Sequence, residues 1–397
     1  METNLDSTIL PGSRLPMVLV RHLLSASLCG LLLCAPALKG SGTPSNQGTR
    51  NSPTGFTYFH DEVRAVPWSI HVVKMERART DLELHTTRGR GACLGMDIVS
   101  EQARAVPARL GKPLAAINGG FYRKSAYYPG APEGLQIVDS ELISEPIAGR
   151  TCLWIDAAGD MHRTNVTSQF KITWPDGSST PFALNAYREN DDAMLYTSVI
   201  GRSTRTFGGV ELVLERKGDS PWLPLRVGQT CTAQVRSVKD GGNSPVKSDI
   251  MVLSLGPRIS PAPPKVAAGA VVKISTATIP DLTGAKTAIC GGPTLVQGGQ
   301  VVQWNGFQMR NPRSAVGWNK DYFFMVEVDG RQRGLSIGMT LPELAAYMVK
   351  LGCEEAINFD GGGSATMWVL GNVINSPSEG QERPGANALV LVRKPAK

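Results

Sequence analysis

The sequence predicts a β-rich α+β domain of mixed sheets with few helices. Three observations predict it. With 43 Gly and 27 Pro among 397 residues, turn formers are too dense for long helices and favour many short strands. Short runs rich in β-branched, aromatic and other apolar residues recur along the chain, each bounded by turn signals. Near the C-terminus, a single well-signalled helix lies between two such runs. An apolar content of 42% over this length is enough to bury a sizeable core, which excludes intrinsic disorder.

The first element is a leader. Residues 23–33 (LLSASLCGLLL) form an apolar run behind Arg14, Arg21 and His22, followed by Ala35-Pro36-Ala37, a small-x-small cleavage pattern. The run is shorter than the roughly 20 residues a membrane span needs, so it predicts a signal peptide ending near Ala37 and a secreted or periplasmic product. Acidic Glu2 and Asp6 are unusual ahead of such a run and leave the start open between Met1 and Met17. Residues 38–54 are polar and rich in Gly, Ser and Pro, as in a flexible linker, and one large domain is expected over 55–397, with a subdomain around 165–280.

Strands are predicted at Ile70–Met75, Leu82–Thr86, Leu114–Asn118, Leu135–Val138, Thr151–Ile155, Met194–Tyr196, Val210–Leu214, Asp249–Ser254, Ala270–Ser275, Thr294–Val296 and Ala388–Val392. One helix is expected near Ser100–Arg109. A stronger one is expected at Leu341–Leu351, where Thr340 and Glu343 make a capping-box pair, Leu341, Leu344, Ala345 and Met348 share one face, and Gly352 supplies the stop. Its flanks, Tyr322–Val328 and Glu355–Phe359, suggest a β-α-β unit over 322–359 with two parallel strands. Both strands then end on one edge, bringing Asp329 and Asp360 toward a common site.

Composition narrows the function. Lys and Arg number 41 against 34 Asp and Glu, a formal charge of +7, yet charged residues are only 19% of the chain and no basic cluster is interleaved with aromatics. Nucleic acid is therefore not expected as a partner, whereas anionic small ligands are. None of the five histidines belongs to a HExxH or Cys/His spacing, so no metal site is expected, and His71, within an alternating strand, is expected to be a satisfied histidine. The five cysteines beyond the leader, Cys93, Cys152, Cys231, Cys290 and Cys353, are widely spaced and odd in number, and are expected to be small buried hydrophobes.

Asn358-Phe-Asp360-Gly361-Gly362-Gly363-Ser364-Ala-Thr366 is the most informative segment. Three glycines allow a sharp turn and let backbone amides face an anion, and the loop adds an acid and hydroxyls at a strand end. It is neither a nucleophile elbow, since Thr366 stands where a glycine is required, nor a P-loop. Its bland alternative is a turn capped by Asp360. Asn118-Gly119-Gly120 repeats the logic, although an Asn-Gly pair is first a turn signal. Arg313, and Arg331 just beyond Asp329, offer guanidiniums whose planar fork suits phosphate oxygens. Glu343 is assigned to its cap.

Taken together, AINGGFY (116–122), LYTSVIGRSTRTFGGVELVL (195–214), AICGGPTLVQGGQ (288–300), NPRSAVGW (311–318), EVDGRQRGLSIGMTLPELAAYMVKLGC (327–353) and EAINFDGGGSATMW (355–368) resemble the phosphodiester glycosidase family. The resemblance implies an exported hydrolase acting on a sugar phosphate or phosphoglycan of the N-acetylglucosamine 1-phosphodiester type; no cofactor is expected, with bound Ca²⁺ or Mg²⁺ left open. It places Asn118, Gly119, Arg313, Asp329, Arg331, Asn358, Asp360, Gly361, Gly362, Ser364 and Thr366 in the site. Ser314 stands where a threonine is commoner, keeping the hydroxyl, and residues 119–134 carry an insert of the chain's own. In the expected mechanism Asp360 is nucleophile or base, Asp329 its partner or a ligand of a sugar hydroxyl, Arg313 and Arg331 the phosphate clamp, and the Gly361 and Gly362 amides stabilise charge; attack at phosphorus, with the same arginines stabilising charge, is the variant mechanism. Two alternatives remain at this stage: a non-catalytic binder of envelope polysaccharide, and a phosphodiesterase holding Ca²⁺ or Mg²⁺ on Asp329 and Asp360.

Overall fold

The computed structural model of the chain describes residues 55–395 apart from 125, 126 and 307; the leader and linker expected at 1–54 lie outside the described residues. Within them the chain is mostly sheet, with two α-helices.

A seven-stranded sheet runs in the order Phe56–Val63, Trp68–Glu76, Tyr322–Val328, Arg313–Trp318, Glu355–Asn358, Thr294–Gln297, Gln300–Val301. Its inner face packs on a five-stranded sheet ordered Asn372–Val373, Met367–Val369, Lys112–Asn118, Ala388–Arg393, Leu82–Thr86. Strand parity builds this core. Phe323 and Met325 point inward with Val73, Met75, Val316 and Ile357 to meet Ile117, Met367, Leu389 and Leu391. Phe324, Val326 and Val328 point the other way, onto the helix α2 (Leu341–Lys350) through Leu344, Ala345 and Met348. Both faces of the strand are therefore covered, which explains the unbroken apolar run YFFMV.

The capping box of α2 forms as its sequence predicts: the Glu343 amide donates to Thr340 Oγ1, and Glu343 accepts from the Thr340 amide. The helix α1 (Val99–Arg104) is shorter than the expected Ser100–Arg109. Pro107 disfavours helical geometry at Val106, so the chain leaves the helix before it.

The β-α-β expectation needs a correction. Tyr322–Val328 and Glu355–Asn358 do run in the same direction, because each pairs antiparallel with Arg313–Trp318. That strand lies between them, so they are not neighbours. The consequence drawn from parallel direction still holds: Asp329 and Asp360 follow strand ends on the same edge of the sheet.

Residues 167–279 supply all the strands of an eight-stranded sheet that shares a second core with another five-stranded sheet, containing Thr151–Ile155 and Thr287–Gly291 as neighbours. The register of those two strands sets Cys152 opposite Cys290, and the two form a disulfide. This overturns the reading of both residues as free buried hydrophobes; Cys231 and Cys353 are buried and free, as expected, whereas Cys93 is free but only half-buried.

Candidate active site

The end of strand Lys112–Asn118 and the end of strand Glu355–Asn358 meet at the inner edge of the sandwich. Gly119 and Gly120 permit the approach. A Cβ at Gly119 would collide with the Asn387 amide and Ile289, and one at Gly120 with the Cys290 carbonyl. The Asn118 side chain then ties the junction together. Its Nδ2 donates to the Asp360 carbonyl at 2.6 Å, and its Oδ1 accepts from Ser314 Oγ at 2.6 Å and from the Thr366 amide at 3.1 Å. The Asp360 amide donates to the Gly119 carbonyl at 3.1 Å. Asn118 is thus a buried positioning residue, and the serine at 314 supplies the hydroxyl it uses.

These contacts fix the Asp360 backbone and leave its carboxyl at a small pocket shared with Gly119, Gly120, Tyr122, Ser364, Arg383 and Asn387. Burial pushes the carboxyl above the usual carboxylate range, while Ser364, Arg383, the Gly361 amide and Lys124 pull it back down. The Ser364 hydroxyl faces both Asp360 and Tyr122 without completing a hydrogen bond of ordinary geometry to either. Tyr122 donates to the Pro384 carbonyl at 2.9 Å, and burial, then the Asp360 charge, raises its hydroxyl pKa. Lys124 lies over the Tyr122 ring at 5.9 Å.

The triple-glycine turn brings cations to the same place. Gly362 has a positive φ of 61°, and Arg331 Nη2 lies 3.1 Å from where its Cβ would be. A Cβ at Gly363 would strike the Arg383 guanidinium and Glu379, which are ion-paired with each other. Arg331 itself has φ 60°, a left-handed conformation strained for a side-chain-bearing residue, and its guanidinium is held by two hydrogen bonds to Asn311 Oδ1, at 2.8 and 3.1 Å.

Other expected site residues do not line this pocket. Asp329 is 2% exposed; its Oδ2 accepts from Ser69 Oγ at 2.7 Å and lies 3.2 Å from His71 Nε2, and its Oδ1 accepts from the Ser376 amide at 2.8 Å. It is not among the residues that line the small pocket beside Asp360. Arg313 donates through Nε to the Met339 carbonyl at 2.8 Å and through Nη2 to the Met309 carbonyl at 2.9 Å, and so braces the loop leading into its strand. Burial, then Arg331, lowers its pKa. The Gly362 amide is spent on the Pro312 carbonyl at 2.9 Å and is not a bare donor. Asn358 and Thr366 are buried, with Asn358 Nδ2 donating to the Gly292 carbonyl at 2.9 Å.

Sequence reading missed Arg383, Lys124 and Asn387. Arg383 and Asn387 sit in the irregular segment before the last strand, where a lone Arg in a Pro- and Gly-containing loop carries no signal. Tyr122 and Lys124 belong to the insert noted above, which borders the pocket as its position suggested.

Residues 237–392 match the phosphodiester glycosidase family. A 114-residue stretch is 32% identical to the SPbeta prophage-derived uncharacterized protein YomE of Bacillus subtilis strain 168, covering 27% of this chain and 18% of that one. The chain thus spans less than a fifth of this curated relative. Among solved structures, a hypothetical protein from Synechocystis superposes with a TM-score of 0.68 at 19% identity, over 85% of this chain and 62% of that one. A protein from Burkholderia pseudomallei K96243 superposes with a TM-score of 0.63 at 24% identity, over 82% and 74% of the two chains. These two likenesses concern the fold. The stretch that matches the phosphodiester glycosidase family takes in Arg313, Asp329, Arg331, Asn358, Asp360, Ser364 and Arg383.

Proposed function

We propose that the chain hydrolyses a sugar 1-phosphodiester of the N-acetylglucosamine type, breaking the sugar C1–O bond to give free sugar and a phosphate monoester. The observation that carries this reading is the Asp360 carboxyl, held at a pocket by main-chain clamps, with Arg383 in the pocket lining, Lys124 acting on the carboxyl and Arg331 packed against the Gly362 turn. A phosphate monoester is a good leaving group and departs without a general acid, so one carboxylate suffices where an ordinary glycoside needs two. Asp360 either bonds to C1, to be displaced by water, or removes the proton of the attacking water. The first course retains the anomeric configuration and the second inverts it. Arg383 and Arg331 hold the phosphodiester oxygens, and Arg313 keeps the neighbouring loop in place. Asp329, whose oxygens are taken up by Ser69, His71 and Ser376, is given no part in the bond-breaking step.

The leader-like run at 23–33 supports export, and the Cys152–Cys290 disulfide fits an oxidising compartment. N-terminal sequencing of the recovered extracellular or periplasmic protein is expected to begin just after Ala37; recovery of an uncleaved cytosolic chain would refute export.

The activity test incubates the purified chain with UDP-N-acetylglucosamine and resolves the products. Free N-acetylglucosamine with UDP supports the proposal. Sugar 1-phosphate would move the attack to phosphorus, and no turnover of this or other sugar 1-phosphodiesters would refute it.

A further inference from the structure

Behind the Asp360 pocket, the inner face of the seven-stranded sheet turns from apolar to polar. Register sets His71 directly opposite Glu327, and pairs Ser69 with Asp329 through the Asp329 amide and the Ser69 carbonyl. Alternation then puts the His71, Glu327 and Asp329 side chains on one face, inside the sandwich. Their ligating atoms all lie within 4.8 Å of one another. Glu327 is 0% exposed, and neither of its carboxylate oxygens has a hydrogen-bond partner. Asn375 approaches it without forming a bond.

A buried carboxylate without donors, beside a second buried carboxylate, is costly unless a cation or a proton neutralises it. The surroundings favour a cation. Tyr58 holds His71 Nδ1 at 2.9 Å, and His60 stacks on the ring with centroids 4.3 Å apart, so the imidazole is fixed with Nε2 turned toward the carboxylates. Metal-bound histidines are oriented in this way through their other nitrogen. One imidazole nitrogen and two carboxylates form a mixed N/O set suited to zinc or manganese, and too poor in oxygens for calcium. Zinc and manganese bind such nitrogen and carboxylate donors at about 2.0–2.2 Å, so the three side chains would close in around an ion as it binds.

We propose that His71, Glu327 and Asp329 bind one divalent transition-metal ion of the zinc or manganese class, distinct from the Asp360 pocket. Its place indicates a structural role. Asp329 Oδ1 accepts from the Ser376 amide, and neighbouring Asn375 holds the Met367 amide at 2.9 Å and the Ala365 carbonyl at 3.2 Å. An ion on Asp329 would therefore brace the segment that follows the triple-glycine turn.

The test measures metal content of the purified full chain by elemental analysis, as isolated and after loading with zinc or manganese chloride and desalting. About one equivalent of one of these metals is expected, together with a rise in melting temperature on loading. Glu327→Gln, which keeps the volume and removes the charge, is expected to weaken binding at least 10-fold and abolish the thermal shift. Less than a tenth of an equivalent after loading, with no thermal shift from either metal, would overturn the site in favour of a proton on Glu327. Unweakened binding in a folded Glu327→Gln chain would overturn it as well. Should that variant not fold, cobalt loading of the native chain replaces it: visible absorption bands of nitrogen- and oxygen-bound cobalt support the site, and their absence refutes it.

Discussion

Asp360→Asn separates chemistry from architecture because the two depend on different atoms of this residue. The clamps at Asp360 are main-chain bonds, from Asn118 Nδ2 to its carbonyl and from its amide to Gly119. An amide of the same size leaves them intact. The carboxylate gives up its contact with the Gly361 amide and its attraction to Arg383 and Lys124, a loss of about 1–2 kcal/mol. Against this, burial holds the Asp360 pKa above its ordinary value, so at neutral pH the folded state already bears a cost for ionising it, and that cost disappears in the variant. The two terms oppose each other, and net stability is expected to move by no more than about 1 kcal/mol. Activity is expected to fall at least 100-fold, roughly the least that a general base or nucleophile contributes. Sugar release and urea denaturation are measured on one preparation whose intact mass confirms the amide. Retained turnover would refute the catalytic assignment; a drop of several kcal/mol with activity per folded molecule preserved would show Asp360 to be a turn cap. The pH profile adds a check. A raised folded pKa contributes stability that is present below the ordinary carboxylate value and is lost as pH rises through the raised one, while the active carboxylate forms over that same rise. The acid limb of kcat/KM is therefore expected above the ordinary carboxylate range and is expected to vanish in the variant.

Arg383→Gln removes a cation that pulls the Asp360 pKa down, so the acid limb is expected to shift further up and KM for a phosphodiester to rise at least 10-fold, as pH-resolved kinetics would show. Arg313→Lys is expected to cost about 2 kcal/mol in denaturation with KM little changed, because Arg313 spends two donors on the Met309 and Met339 carbonyls. Burial, then Asp192, pushes Glu145 up to about 7 from an ordinary 4.5. Its contribution is present below the ordinary value and lost as pH rises through about 7, so Glu145→Gln is expected to stabilise the chain by up to about 3 kcal/mol at pH 8 and hardly at all at pH 4, read from melting curves at both. The Cys152–Cys290 disulfide closes a 138-residue separation, and replacing both cysteines by alanine is expected to cost about 2–5 kcal/mol in denaturant titration.

Most of the fold was legible where local chemistry decides it. The runs at Leu82–Thr86 and Thr151–Ile155 and the Thr340 cap are fixed by residues close in sequence, and they form where the sequence places them. What depends on pairing between distant strands was not legible. The interposed strand Arg313–Trp318 precedes the β-α-β stretch and carries no sign that it inserts within it. The disulfide follows from a register between strands 138 residues apart. The same holds for the buried cluster at His71, Glu327 and Asp329. Metal-site reading relies on close spacing, and this histidine comes from a strand more than 250 residues before the two acids.

The divergence of Asp329 and Asp360 shows why residue type and strand end do not suffice to define a pair. Asp329 continues the parity of Phe323, Met325 and Glu327, which commits its side chain to the interior of the sandwich. Asp360 lies past Phe359, whose ring fills that interior, and so enters the turn with its side chain directed to the pocket. The pocket therefore holds the Asp360 carboxylate beside Arg383, itself ion-paired with Glu379, with Lys124 acting on Asp360 from nearby. Such a site suits a substrate that brings its own negative charge. The cations offset the repulsion between the phosphodiester and Asp360 while it binds, and they stabilise the phosphate as it leaves with the bonding electrons. An ordinary glycoside would leave those cations unused and its leaving alkoxide unprotonated, so the charge arrangement selects for the phosphodiester through the chemistry it lacks as much as through the groups it supplies.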